Sequence, residues 1–248
     1  MDKNIFIKIQ YDGTRYSGWQ RQGNTDNTIE TKISTVLSMM LGKDEPIEIH
    51  GSGRTDAGVH AMGQVANFHV DTELSPEDIK LYLNKYLPED IKVISAGEAS
   101  LRFHSRLNAK KKTYVYKIDN GSKADVFLRK YTWHIKEKLD VSKMRELSTS
   151  FMGEHDFASF SDMKAGKKST VRCIDVISID CVDDIISIEF TGNGFLYHMV
   201  RKLTAAFVEV GLSNKNIDEI IEILNKKDKN SFKELAPAKG LMLKEVFY

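Results

Sequence analysis

The residues that could do chemistry concentrate in one short run, Gly53-Arg54-Thr55-Asp56-Ala57-Gly58-Val59-His60-Ala61. It sets a carboxylate and a guanidinium close together among small residues. Glycine lets a backbone approach a ligand closely, a carboxylate can act as nucleophile or base, and a guanidinium suits phosphate. The run lacks the Gly-Lys-Ser/Thr ending with which a phosphate loop meets phosphate and magnesium, which sets an NTPase aside. Standing alone, an Asp in a glycine-rich turn most often bonds its own backbone. Chemistry at Asp56 therefore needs support from the rest of the chain.

Charge distribution supplies a second clue. The 248 residues carry a formal net charge of only +1, which by itself argues against nucleic acid. Residues 101–134 break that balance. Nine Lys or Arg (Arg102, Arg106, Lys110, Lys111, Lys112, Lys117, Lys123, Arg129, Lys130) stand against Asp119 and Asp125, so the segment nets +7 and the remainder −6. Phe103, Tyr114, Tyr116, Phe127, Tyr131 and Trp133 are interleaved with these cations. Such a stripe suits phosphates and unstacked bases; it equally suits a solvated strand edge whose lysines oppose aggregation.

The balance of 41% hydrophobic and 29% charged residues fits a packed globular chain rather than a disordered or fibrous one. Cys173 and Cys181 make no Cys-x-x-Cys pair and have no His-rich partner motif, so neither a disulfide framework nor a zinc site is expected. The opening Met1-Asp2-Lys3-Asn4 lacks a basic stretch followed by an apolar one, and no apolar run reaches the roughly 18 residues of a membrane span. A cytoplasmic protein is the expectation.

The Asp56 run needs a scaffold. Ile5, Ile7 and Ile9 alternate with Phe6, Lys8 and Gln10, a period-two strand leading into the turn Tyr11-Asp12-Gly13-Thr14. Asn27 followed by Glu30 has the form of a capping box, after which Ile29, Ile33, Val36, Leu37, Met40 and Leu41 share a helical face. Ile47 and Ile49 begin another strand, and Ala66, Phe68 and Val70 alternate beyond the glycine-rich run, so Asp56 falls in a loop between strands. Ser75-Pro76 with Ile79, Tyr82, Leu83 and Tyr86 predicts a second helix stopped by Pro88. Residues 113–118 and 186–190 read as strands, 196–210 as a helix, Asn216 and Glu219 as the cap of a short helix, and 241–248 as a closing strand. Strict strand–helix alternation is absent. That favours an α+β fold with mixed, mainly antiparallel sheets over a doubly wound parallel one. The charge shift puts a boundary near residue 105, between an N-terminal α+β domain (1–104) carrying the Asp56 loop and a C-terminal α+β domain (105–248).

Five ordered segments then resemble the TruA family of tRNA pseudouridine synthases. They are Tyr11-Asp12-Gly13-Thr14 leading to Gly18-Trp19-Gln20-Arg21-Gln22; Gly53 to Ala61; Phe103-His104-Ser105-Arg106 with three lysines before Tyr114; Phe195-Leu196-Tyr197-His198-Met199-Val200-Arg201; and Ala236-Pro237-Ala238-Lys239-Gly240-Leu241. The resemblance implies isomerisation of uridine to pseudouridine at positions 38–40 of the tRNA anticodon stem-loop, by a cofactor-free homodimer that grips the tRNA across both subunits. It implies two RRM-like (ferredoxin-like) halves joined into a central sheet, with the active-site cleft between them. Asp56 is then the catalytic carboxylate. Arg54, Tyr114, Arg201 and Leu241 bind the substrate, with Tyr114 against the uracil and Arg201 paired with the aspartate. Arg106, Lys110, Lys111, Lys112, His198 and Lys202 contact RNA.

These roles are chemically coherent. The reaction breaks the N1–C1′ bond, turns the base and joins C5 to C1′, so a nucleophile or base suffices and no redox centre is needed. Asp56 could act at C1′, at C6 of the uracil, or on a ribose proton along a glycal route; the residues do not choose among these. The base must leave the stack, a cost that stacking and polar contacts offset. Some positions depart from the family's usual pattern. Lys202 stands where Asn is common, Ala205 where Gly is common, and Ser231-Phe232-Lys233-Glu234-Leu235 lacks the Ala-Gly usual before Ala236. A paralogue with altered tRNA or site preference remains open on these grounds. Two rivals explain less: a noncatalytic RRM-like RNA-binding module leaves Arg54 to His60 unexplained, and a glycosidase needs paired carboxylates where only Asp56 has motif support.

Overall fold

A computed structural model describes residues 2–163 and 169–248; Met1, in the opening stretch read above, lies outside them. The chain divides into two compact units, Met1–Lys110 with Met242–Tyr248, and Lys111–Leu241. The division falls slightly beyond residue 105, and the closing strand belongs with the first unit rather than with the residues that precede it.

The first unit runs β1 (Asp2–Tyr11), α1 (Ile29–Leu41), β2 (His50–Gly51), β3 (His60–Asp71), α2 (Pro76–Tyr86), β4 (Ile91–Ala99) and, from the far end of the chain, β10 (Leu241–Phe247). β1 lies between β3 and β4, antiparallel to both, while β3 also meets β2 antiparallel and β10 parallel. Ile5, Ile7 and Ile9 are fully buried, with Ile5 opposite Phe68 and Ile7 opposite Ala66. A one-residue slip would turn all three isoleucines to the other face, so their burial sets the register that delivers the Asp56 loop to the head of β3.

α2 begins as its sequence predicts, with Pro76 at its first position and a reciprocal capping box between Ser75 and Asp78. α1 starts differently. Its cap is Thr28, whose hydroxyl accepts from the Thr31 N–H at 3.2 Å. Glu30 instead accepts from the Arg21 N–H at 2.8 Å, and the Asn27 amide donates to the Arg15 carbonyl. Nor do Ile47 and Ile49 extend a strand. The Ile47 carbonyl accepts from Ser34 Oγ, and its N–H donates to Ser38 Oγ, so its backbone is satisfied by α1 and not by a ladder.

The second unit runs β5 (Lys111–Asp119), β6 (Trp133–His134), α3 (Val141–Phe151), β7 (Gly153–Asp156), β8 (Val171–Val182), β9 (Ile185–Gly192), α4 (Met199–Gly211) and α5 (Ile217–Lys226). Its strands pair antiparallel in the order β5-β9-β8-β7, with β6 parallel to β5. Phe151 makes edge-on contacts with Phe160 at 5.3 Å and Phe207 at 5.7 Å, and Phe160 packs on Phe232 at 5.0 Å. Each such pair adds about 0.5–1.5 kcal/mol beyond its buried area. α4 is buried nearly all round, as befits a helix inside a core. The α+β reading with mixed, mainly antiparallel strands therefore holds. Among the described residues no helix is long and apolar enough to cross a membrane.

Candidate active site

In the first unit the Asp56 loop is fixed by its neighbours on several sides. Ser52 Oγ donates to Gln64 Oε1 at 2.6 Å, and the Gln64 amide donates to the Gly53 carbonyl at 2.8 Å. Thr55 is buried, with its hydroxyl 2.8 Å from the Tyr11 phenol, whose pKa burial pushes upward. The Thr55 carbonyl accepts from the Trp19 N–H at 3.0 Å, and the Gly58 N–H reaches the Tyr16 carbonyl. Inward anchoring of Thr55 leaves Asp56 half-buried and Arg54 exposed.

Two glycines make this approach possible. Gly18 has φ +96°, and a Cβ there would meet the Thr55 carbonyl at 2.6 Å. At Gly13 a Cβ would stand 2.0 Å from the Val59 carbonyl oxygen, while the Gly13 N–H donates to His60 Nδ1 at 3.0 Å. Gly13→Ala must push the loop outward, and for the reacting group that Asp56 is expected to be, displacement by about 1 Å would cost on the order of 100-fold in rate. The expected result is a fall of that order in kcat/KM, read by steady-state kinetics with the α/β circular dichroism retained.

Several cationic groups lie near Glu30, which the charge of Arg54 also reaches. Glu30 is half-buried and its pKa is raised by desolvation, which outweighs the Arg21 N–H bond and the nearby charges of Arg54, Arg21 and His50. His50 and His104 stack with ring centroids 4.5 Å apart, and burial together with the His50 charge lowers the pKa of His104. Arg106 and Lys110 are both exposed beyond that pair. The turn bearing His104 is held from beneath, where Ser105 donates twice to Asn67 and its carbonyl accepts from the Tyr248 hydroxyl.

The second unit carries the remaining expected residues. Lys111 is exposed and 3.2 Å from Asp175, and Lys112 is half-buried. Tyr114 lies on β5, 8% exposed, edge-on to Phe195 at 5.2 Å. Tyr116, two residues on, is a core aromatic as its position suggests, with its hydroxyl donating to the Pro237 carbonyl at 2.8 Å. Desolvation raises the Tyr116 pKa against the opposing charge of Arg201, which puts that guanidinium near the same segment. Arg201 Nε donates to the Ala236 carbonyl at 2.7 Å, and Leu241 is buried at the head of β10. The structure thus gathers Tyr116, Arg201 and the 236–240 segment in one place.

Lys202 needs correction. Its side chain is 3% exposed and its ammonium meets Asp162 at 2.8 Å, so it is used inside the protein and cannot offer itself to RNA phosphates. His198 shares the same carboxylate. Asp162 and the half-exposed Tyr197 were not singled out from the sequence; a lysine whose helical neighbours are Met199, Ala205 and Ala206 was the available sign that a buried acid must lie nearby.

An α+β chain with a carboxylate on a firmly anchored loop, next in sequence to an exposed arginine, and a basic segment rich in aromatics, has the make-up of an RNA-modifying enzyme. The chain belongs to the tRNA pseudouridine synthase family, whose model matches residues 7–108 and 147–248. It is an isomerase that converts uridine in tRNA to pseudouridine. A Bacillus sp. (strain KSM-64) protein named tRNA pseudouridine synthase A is 49% identical over 245 residues, covering 99% of each chain. The Bacillus anthracis tRNA pseudouridine synthase A 2 is 47% identical over 245 residues, covering 98% of each. The Clostridium tetani tRNA pseudouridine synthase A 1 is 46% identical over 246 residues, covering 99% of this chain and 100% of its own.

Proposed function

We propose that Asp56 is the group that acts on the uridine, as nucleophile or base, and that the uridines lie at positions 38–40 of the anticodon stem-loop. The observation that carries this reading is the Asp56 loop itself, a half-buried carboxylate whose neighbours are pinned by Tyr11, Tyr16, Trp19 and Gln64 while Arg54 stays exposed beside it. A reacting group gains most from being held in place before the substrate arrives. Arg54 takes a backbone phosphate, Tyr114 and Leu241 supply apolar surface for the flipped base, and Arg201 binds the substrate through its guanidinium. Arg106, Lys110, Lys111 and Lys112 take RNA phosphates, a contact that weakens as salt rises. The working form is a cytoplasmic homodimer.

The test uses tRNA labelled with tritium at uridine C5, because joining C5 to C1′ must expel that hydrogen into water. Transcripts with uridine at 38–40 are expected to release tritium, and transcripts with cytidine there are expected to release none. Undiminished release from the cytidine transcripts would assign the enzyme to other uridines.

A further inference from the structure

The start of α4 holds a chain of contacts that the isomerisation does not itself call for. The Lys202 ammonium, almost fully buried, meets Asp162 Oδ1 at 2.8 Å and donates to the Phe232 carbonyl at 2.8 Å. The other carboxylate oxygen accepts from His198 Nδ1 at 2.6 Å, and the Asp162 N–H donates to the Tyr197 carbonyl at 3.1 Å. His198 adopts φ 63°, a backbone conformation that side chains other than glycine rarely take. Its ring is thereby laid against that of Tyr197, with centroids 3.7 Å apart and planes within 27°. Tyr197 nevertheless remains 51% exposed.

A buried ion pair is weak as a stabiliser, because desolvation consumes most of its Coulombic gain. Here its effect is directional: Lys202 fixes Asp162, Asp162 fixes the His198 ring, and that ring backs an aromatic side chain facing outward. We propose that Tyr197 is a stacking platform for an unstacked tRNA base, and that Lys202, Asp162 and His198 are positioning residues that hold it. Stacking on an aromatic face tolerates any base, and a ring already held in place loses less freedom on binding. Arg201 follows in the first turn of α4, with its Nε bound to the Ala236 carbonyl. The inference rests on tRNA being the substrate and not on the role given to Asp56.

The experiment measures the Kd of intact protein for unmodified tRNA at one fixed salt concentration. Tyr197→Leu is expected to raise Kd about 5- to 150-fold, the range that losing one base–aromatic stack corresponds to. Tyr197→Phe, which keeps the ring, is expected to stay within about two-fold of the wild type. Asp162→Ala, which frees the ring from behind, should move Kd in the same direction by a smaller factor. Binding by Tyr197→Leu within about two-fold of the wild type overturns the proposal. So does an equal loss in Tyr197→Phe, which would make the hydroxyl the contact, or the surface one for another partner. Because the readout is binding, an error in the assignment of Asp56 leaves the result intact.

Discussion

Asp56→Ala is expected to abolish tritium release from C5-labelled tRNA, by roughly 10⁴-fold or more, the scale that deleting a reacting group outright produces. The anchors of its loop belong to Ser52, Gly53, Thr55 and Gly58, with the Asp56 carbonyl contributing through the Val59 N–H, so the truncated loop keeps its shape. Affinity for tRNA should therefore change only a few-fold, since phosphate contacts from other residues carry it. Asp56→Asn is the sharper variant. It keeps size and hydrogen bonding but removes the negative charge and the nucleophile, and it should be as inactive as alanine. Turnover by the asparagine variant within about ten-fold of wild type would exclude the carboxylate as the reacting group.

The second large effect is on stability. Asp162→Ala removes the counter-charge from an ammonium that is 3% exposed and leaves it with the Phe232 carbonyl alone. Breaking a buried pair from one side costs about 3–5 kcal/mol, and the lower end applies because Asp162 is itself 40% exposed. At about 2–4 °C per kcal/mol for a chain of this size, Tm should fall by roughly 6–12 °C. Lys202→Met removes the charge that needed pairing and should shift Tm by far less, so the two variants together separate an uncompensated charge from lost packing. A pH dependence follows from the same carboxyl. Burial pushes its pKa up, but the bonds from Lys202 and His198 outweigh this and hold it below the ordinary carboxylate range. Its contribution is thus fully present above about pH 4 and is lost as pH falls through the folded value. The acid limb of the wild-type stability curve should flatten in Asp162→Ala.

Local signals in the chain were readable where one physical cause acted alone. The Ser75-Pro76 start and the Asn216–Glu219 cap are each complete within four residues, and both form as expected. Asn27 misled because Thr28 offers an equivalent oxygen one step nearer the apolar face, and Asn27 has a better partner in Arg15. Ile47 misled because two serines of α1, unremarkable in sequence, capture its backbone. α3 was overlooked although Met144, Leu147 and Phe151 keep helical spacing, Asp140 stands at its cap and Gly153 follows its end; its four buried positions are few beside the polar residues that separate them. At the site, the glycine spacing around Asp56 announced a loop, and Gly13 and Gly18 are needed where their neighbours' backbones pass. Lys202 was misassigned because its partner lies forty residues earlier, and charge alone does not tell an ammonium aimed at solvent from one aimed at a buried acid.

The pairing of β10 with β3 has a consequence for biosynthesis. Met242 lies beside His60, the Phe247 carbonyl accepts from the Lys110 N–H, and the Tyr248 hydroxyl closes on Ser105. A ribosome finishes β4 and must then translate the whole second unit before it supplies β10, an interval of roughly 10–30 s at ordinary elongation rates. Throughout that time β3 waits with part of one edge unpaired, the condition under which strands recruit the wrong neighbour. β2 pairs further along β3, at Ala66 and Asn67, so the His60–Ala61 part of the edge stays open to aggregation until β10 emerges.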